Sequence, residues 1–135
     1  MALDIGEKRI GIAVSENGVL ATPHSILFRK SKNEDFQRLQ QLVQTLGVEQ
    51  IIVGLPYVLD GPEEMGPQAR RIKRYADRLA ENLDIPLGFF DESYSSVDAA
   101  NYLSAAGRRK GGKRGKIYVD DAAAAVILQN YLDAR

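Results

Sequence analysis

The chain has 135 residues, with 18 Lys and Arg against 18 Asp and Glu, and no cysteine. That length suits one domain, the missing thiols exclude disulfides and thiolate metal sites, and the balanced charge is not that of a protein coated in cations. His24 is the one histidine, so His-rich zinc sites and catalysis by two imidazoles are excluded; carboxylates remain as metal ligands, and they suit hard ions such as magnesium or manganese.

An apolar fraction of 44% and a charged fraction of 27% are those of an ordinary globular protein. No apolar run approaches the ~20 residues of a membrane span, and the opening lacks a signal-peptide pattern, so a cytoplasmic protein without a membrane partner is expected.

The chain opens with a short apolar strand around Leu3 and Ile5, a tight turn at Gly6-Glu7-Lys8, and a second strand alternating from Ile10. Asp4 interrupts the first strand. Strands disfavour Asp, and an uncompensated buried carboxylate is costly. Its charge calls for a basic partner, such as Arg9 across the hairpin, or for a bound cation. A turn at Ser15-Glu16-Asn17-Gly18 leads to a third strand over Val19 to Phe28, where Pro23 marks an edge or a bulge and His24 reads as a surface residue.

The period then changes. Phe36, Leu39, Val43 and Leu46 recur at helical spacing and Gly47 is a helix stop. Ile51-Ile52-Val53 suits a strand buried on both faces, as in parallel pairing. After a loop from Tyr57 to Pro67, a second helix runs from about Gly66 to Leu83, with Ala69, Ile72, Ala76, Leu79 and Leu83 as its apolar stripe. Its other side carries Arg70, Arg71, Lys73, Arg74 and Arg78, an ordinary solvent face with i,i+4 pairs. A fifth strand, Pro86 to Phe90, ends in Asp91-Glu92. A helix over Val97 to Ala106, a basic loop and a final helix over Val119 to Leu132 complete the chain. A meander followed by αβ units predicts a single α/β domain over residues 1–135, with a mixed five-stranded sheet and helices on both faces. Right-handed crossovers put the fourth strand parallel to the first, and the fifth beyond it.

Acids stand where the fold does not need them: Asp4 on the first strand, Asp91 and Glu92 after the fifth, Asp120 and Asp121 opening the last helix. Asp120 lies four residues before Ala124 and so belongs to the sheet-facing stripe of Ala124, Ile127, Leu128 and Tyr131; Asp121 is turned about 100° away, where it suits a helix N-terminus. If Asp4, Glu92 and Asp120 meet, two like charges at ~4 Å repel by about 4 kcal/mol at an effective dielectric of 20, so protons or divalent cations must intervene. Such clusters serve two-metal phosphodiester hydrolysis. Six of the nine residues from Arg108 to Lys116 are basic (Arg108, Arg109, Lys110, Lys113, Arg114 and Lys116), broken by glycines, as suits a loop following a phosphate backbone.

Together the segments Asp4-Ile5-Gly6 with Lys8-Arg9-Ile10-Gly11, Val53-Gly54-Leu55-Pro56 with Asp60-Gly61, Asp91-Glu92 with Ser95-Ser96, and Val119-Asp120-Asp121-Ala122-Ala123 resemble the YqgF/RuvX family, in order and spacing, across essentially the whole chain. That resemblance implies a ribonuclease-H-like fold related to the RuvC-type Holliday junction resolvases. It makes Asp4, Glu92 and Asp120 the catalytic, metal-binding acids, with Asp91 as the alternative ligand to Glu92, and implies a magnesium- or manganese-dependent nuclease. Arg9 and the 108–116 loop are then the contacts to nucleic acid. The family is linked to maturation of the 5′ end of precursor 16S ribosomal RNA. Its arginine after Asp-Glu is Ser93 here, which leaves that role to Arg9 or the basic loop. Structured RNA and branched DNA both stay open as partners, as do a monomer and a homodimer. A non-catalytic nucleic-acid-binding module is the competing class; an actin-like ATPase, which shares an Asp-x-Gly hairpin, needs two such domains and this chain has room for one.

Overall fold

Alternation at the start of the chain becomes a hairpin at the centre of a sheet. The computed structural model describes residues 1–56, 66–91 and 119–135, with 119 and 120 as helix backbone alone. Within them β1 (Ala2–Ile5), β2 (Arg9–Val14), β3 (Thr22–Phe28), α1 (Lys32–Leu46), β4 (Ile51–Leu55), α2 (Pro67–Ala80), β5 (Leu87–Asp91) and α3 (Val119–Ala134) follow one another. The strand order is β3-β2-β1-β4-β5. β1 pairs antiparallel with β2 and β2 with β3; β4 pairs parallel with both β1 and β5. This is the mixed sheet that the chain order predicts. The expected helix over Val97 to Ala106 lies outside the described residues.

Gly6 closes the hairpin. Its N–H donates to the Arg9 carbonyl at 2.8 Å, and a Cβ there would lie 2.9 Å from that same oxygen, so a side chain does not fit. Between β2 and β3 the register shifts: Ile12 pairs with Ser25 and Ala13 with Pro23, which leaves His24 as the extra residue of a bulge on the edge strand. Edge and bulge are where a proline is tolerated. β3 starts at Thr22 rather than at Val19. The Asn17 side-chain carbonyl accepts from the Val19 and Leu20 N–H groups at 2.9 and 3.0 Å, and Ala21 N–H donates to the Gln129 side chain at 2.9 Å. Those three donors are therefore spent locally and not on a ladder.

Two cores lie on opposite faces of the sheet. Leu3, Ile5, Ile10, Ile12, Ile51 and Val53 pack with Phe36 and Leu39 of α1 and Ile72, Tyr75, Ala76 and Leu79 of α2. Ala2, Ala13 and Ile52 pack with Ala124, Ala125, Ile127 and Leu128 of α3. Odd and even positions of β1 thus serve different helices, the period of two expected of a strand buried on both sides. Ser31 caps α1 by accepting from Glu34 N–H at 3.2 Å, and Gly47 ends it at φ 67°, ψ 39°, the left-handed conformation that releases the chain toward β4. α2 stops at Ala80, one turn short of Leu83, which packs on the core from a turn. No described helix is long and apolar enough to cross a membrane.

Among the described residues, one charged side chain is wholly inside. Asp35, 1% exposed, stands in the first turn of α1. It accepts from Lys30 N–H at 3.0 Å and from the Tyr75 hydroxyl at 3.1 Å, and Arg29 Nε is 3.8 Å away. The Arg29 guanidinium lies 4.3 Å from the centre of the Tyr75 ring and donates to the Gly6 carbonyl at 2.6 Å. The network joins α1, α2, the end of β3 and the β1–β2 turn. Removing the carboxylate strands a buried hydroxyl and an amide, so Asp35→Ala should lower stability by about 2–4 kcal/mol, read as a shift in the urea midpoint. Burial first, and then the Asp35 carboxylate, push the Tyr75 phenol well above its ordinary value of 10.0. Below about pH 10 folded and unfolded chains both keep that proton; above it the unfolded chain releases a proton that Tyr75 retains, so stability falls with rising pH. Urea midpoints taken from about pH 8 to about pH 11 should show a shallower decline for Tyr75→Phe than for the wild type.

Candidate active site

Parallel pairing sends the carboxyl ends of β1, β4 and β5 to one edge of the sheet. Leu3 is in register with Val53 and Val53 with Phe89; two positions on, Leu55 is in register with Asp91. Ligands of open α/β sheets gather beyond this edge. Asp4 is one residue before the end of β1 and half-buried. Alternation puts it on the face of α3, since Leu3 and Ile5 point into the core under α1 and α2 while Ala2 points to α3.

The positions directly paired with Asp4 on that face carry no side chains. Gly11 pairs with Asp4 across the hairpin. Continuing the β1–β4 register by one residue brings Gly54 to its other side. Both flanking glycines are buried, and neither sets a side chain between the Asp4 carboxylate and its surroundings. Arg9 shares the face. It is two residues from Gly11 along β2 and hence the diagonal neighbour of Asp4, within reach for a long side chain. Its exposed position suits a contact to substrate as well as to Asp4.

The direction of α3 decides where its first turn falls. Near its end the Tyr131 hydroxyl accepts from the Gln50 side chain at 3.0 Å, the Gln129 side chain donates to the Val19 carbonyl at 2.8 Å, and Arg135 reaches the Gly18 carbonyl at 3.3 Å. Gln50 precedes β4, and Gly18 and Val19 follow β2, so all three partners lie at the amino edge of β1 and β4. The helix therefore begins toward the carboxyl edge. Asp120 is eleven residues before Tyr131, about 16 Å along the axis, and its backbone stands one turn before the buried Ala124. Asp4 and the start of α3 thus come to the same end of the same face. Asp121, half-buried, follows in that first turn.

Asp91 behaves differently. It is exposed and aligned with Leu55, on the side of the sheet where Leu87 and Phe89 pack toward α1 and α2; Phe90, before it, packs on the α3 side. The strand's parity thus separates Asp91 from Asp4. Glu92, the side chain of Asp120, Ser93, Ser95, Ser96, the Asp60-Gly61 segment and the basic residues Arg108, Arg109, Lys110, Lys113, Arg114 and Lys116 lie outside the described residues. Among the described residues no three acids or histidines come together to hold a metal. The donors available at this edge are carboxylate oxygens, which fit a hard divalent cation.

Comparison with known proteins bears on the family and the fold. A family model described as "RuvX: Holliday junction resolvase" matches residues 1–134. A Synechocystis protein named "Putative pre-16S rRNA nuclease" is 40% identical over 136 residues, covering 100% of this chain and 87% of its own. One of the same name from Syntrophomonas wolfei is 46% identical over 134 residues, covering 98% of this chain and 92% of its own. Among solved structures, T. thermophilus RuvC in complex with a Holliday junction substrate superposes with a TM-score of 0.60 at 16% identity, over 98% of this chain and 92% of that one, which extends the likeness to the ribonuclease-H-like fold. On the full-length family match and these identities, the chain belongs to the RuvX family.

Proposed function

We propose that this protein is a metal-dependent endonuclease that hydrolyses phosphodiester bonds at the 5′ end of precursor 16S ribosomal RNA. The observation that carries the reading is the carboxylate of Asp4, set between Gly11 and Gly54 at the carboxyl edge, with the first turn of α3 arriving at that edge. The relatives' name supplies the substrate.

Asp4, Glu92 and Asp120 are the residues assigned to hold magnesium or manganese. A divalent pair held there would supply an activated water and steady the leaving oxygen. The protein's own part is to present oxygen donors from rigid elements: Asp4 from a strand paired on both sides, Asp120 from a helix seated on that strand's face. Asp91, on the opposite face, gives way to Glu92 as the acid of the fifth strand. Arg9 is assigned to a substrate phosphate beside Asp4, where its guanidinium offers paired donors. The six basic residues between 108 and 116 are assigned to the nucleic-acid backbone on either side of the scissile bond. A cytoplasmic location and action as a monomer or a homodimer complete the reading.

The family description supports a second reading, resolution of branched DNA by the same chemistry. Cleavage assays with magnesium on a precursor 16S transcript and on a four-way DNA junction separate the two: the account expects cutting of the transcript. Asp4→Asn should lower that cleavage by at least about a hundredfold while leaving RNA binding in place; cleavage at the wild-type rate would contradict the assignment, and equal binding with no cleavage by the wild type would leave the binding module as the answer. Glu92→Gln should match the loss of Asp4→Asn, whereas Asp91→Asn should keep activity within a fewfold of wild type.

A further inference from the structure

On the face of the sheet opposite the proposed acids, a cleft of about 310 Å³ opens beside the β1–β2 turn. Its walls include Gly6 and Glu7 of the turn, Arg29 after β3, Lys32 at the start of α1, and Arg71 and Arg74 of α2. Four of these six residues are cations and one is an acid. Glu7 sits at the rim, its side chain 82% exposed, and meets Arg71 at 3.6 Å. Among the described residues, Lys32 and Arg74 have no carboxylate partner.

The cleft is constructed rather than merely charged. Arg29 is pinned by Asp35, by the face of Tyr75 and by the Gly6 carbonyl, three contacts that use its Nε, its π surface and one terminal nitrogen. Its second terminal nitrogen makes none of these bonds. The buried acid neutralises Arg29 and fixes its direction, and Glu7 offsets Arg71, so the net positive charge of the cleft comes from Lys32 and Arg74. The first turns of α1 and α2 both border the cleft, and the positive ends of their dipoles add to that field. The N-cap of α2 is Gly66, which offers no side chain to its first-turn amides.

We infer that this cleft seats a backbone phosphate of the substrate strand, away from the bond that is cut. The inference rests on the nuclease reading for the identity of the strand. Gly6 is two residues from Asp4, at most about 7 Å along the chain. A strand crossing the carboxyl edge over Asp4 and Arg9 therefore reaches the cleft by passing the β1–β2 turn, and the rigid guanidinium of Arg29 presents a planar donor suited to a phosphodiester oxygen. The β1–β2 turn is then a saddle between the cutting face and the holding face.

The test is equilibrium binding of the full chain to a labelled single-stranded RNA of about twenty nucleotides in EDTA, over a series of KCl concentrations. Lys32→Ala/Arg74→Ala alters two exposed side chains outside the hydrogen-bond network. It should weaken binding by about tenfold at low salt and make the log K against log salt slope shallower by about 0.7, the value for one phosphate contact on a single strand. Arg78→Ala, elsewhere on α2, should leave the slope unchanged. A slope equal to wild type in the double variant overturns the inference, as does an equal loss in Arg78→Ala. Titration with inorganic phosphate, followed by NMR at the Gly6 amide and Arg29 Nε, separates a free-anion site: shifts there with an unchanged RNA slope also overturn it. No cleavage occurs in EDTA, so a changed slope beside an inactive wild type would fault the nuclease reading and leave the cleft standing.

Discussion

Three strands in parallel register, β1, β4 and β5, are the constraint on which the rest of the molecule depends. Parallel pairing fixes one edge for all their carboxyl ends and requires helices on the sheet's faces to make the crossovers. Because β1 is central and buried from both sides, any residue on it must satisfy a helix above or below. Leu3 and Ile5 do so on one face and Ala2 on the other. Asp4 is the exception. The backbone around it, with glycine on each flank and α3 starting above the same edge, accommodates a charge there.

Asp35 and Asp4 show how differently one fold treats a carboxylate. Asp35 is enclosed and fully committed: an amide, a phenol and a guanidinium surround it, and the result is a tie between helices and strand. Such groups are retained when every partner is in place. Asp4 is only half-buried and stands near the carboxyl edge of β1, paired across the hairpin with a glycine. The same sheet thus separates a face that carries out the proposed reaction from a face that orients Arg29 and surrounds it with basic side chains.

Most of this fold was legible in the residues. The change from period two to period 3.6 at Phe36 located α1, the apolar run at Ile51 announced a doubly buried parallel strand, and Pro23 marked both the edge and the bulge. Gly47 ended its helix in the left-handed conformation that glycine allows. The start of β3 was misjudged because Val19 and Leu20 have strand-like side chains while their amides are taken by Asn17, a contact that hydropathy does not register. Of the site, Asp4 and the first turn of α3 reach the expected edge. The register puts Asp91 on the face opposite Asp4, while Glu92 lies outside the described residues. Asp35 was missed, although the spacing that singled out Asp120 applies to it equally: it lies four residues before Leu39, on the buried stripe of α1. What no spacing could supply was Tyr75 and Arg29, which reach Asp35 from other elements.

The central claim is that acids from distant parts of the chain share divalent ions at the end of β1. Crystals of the wild-type protein soaked in manganese test it most directly, through anomalous scattering. The account predicts manganese density bonded to an oxygen of Asp4 and shared with Glu92 and Asp120, absent from Asp4→Asn crystals soaked alongside. Density elsewhere on the surface, with the Asp4 carboxylate held by Arg9 alone and turned from the other two acids, would contradict it.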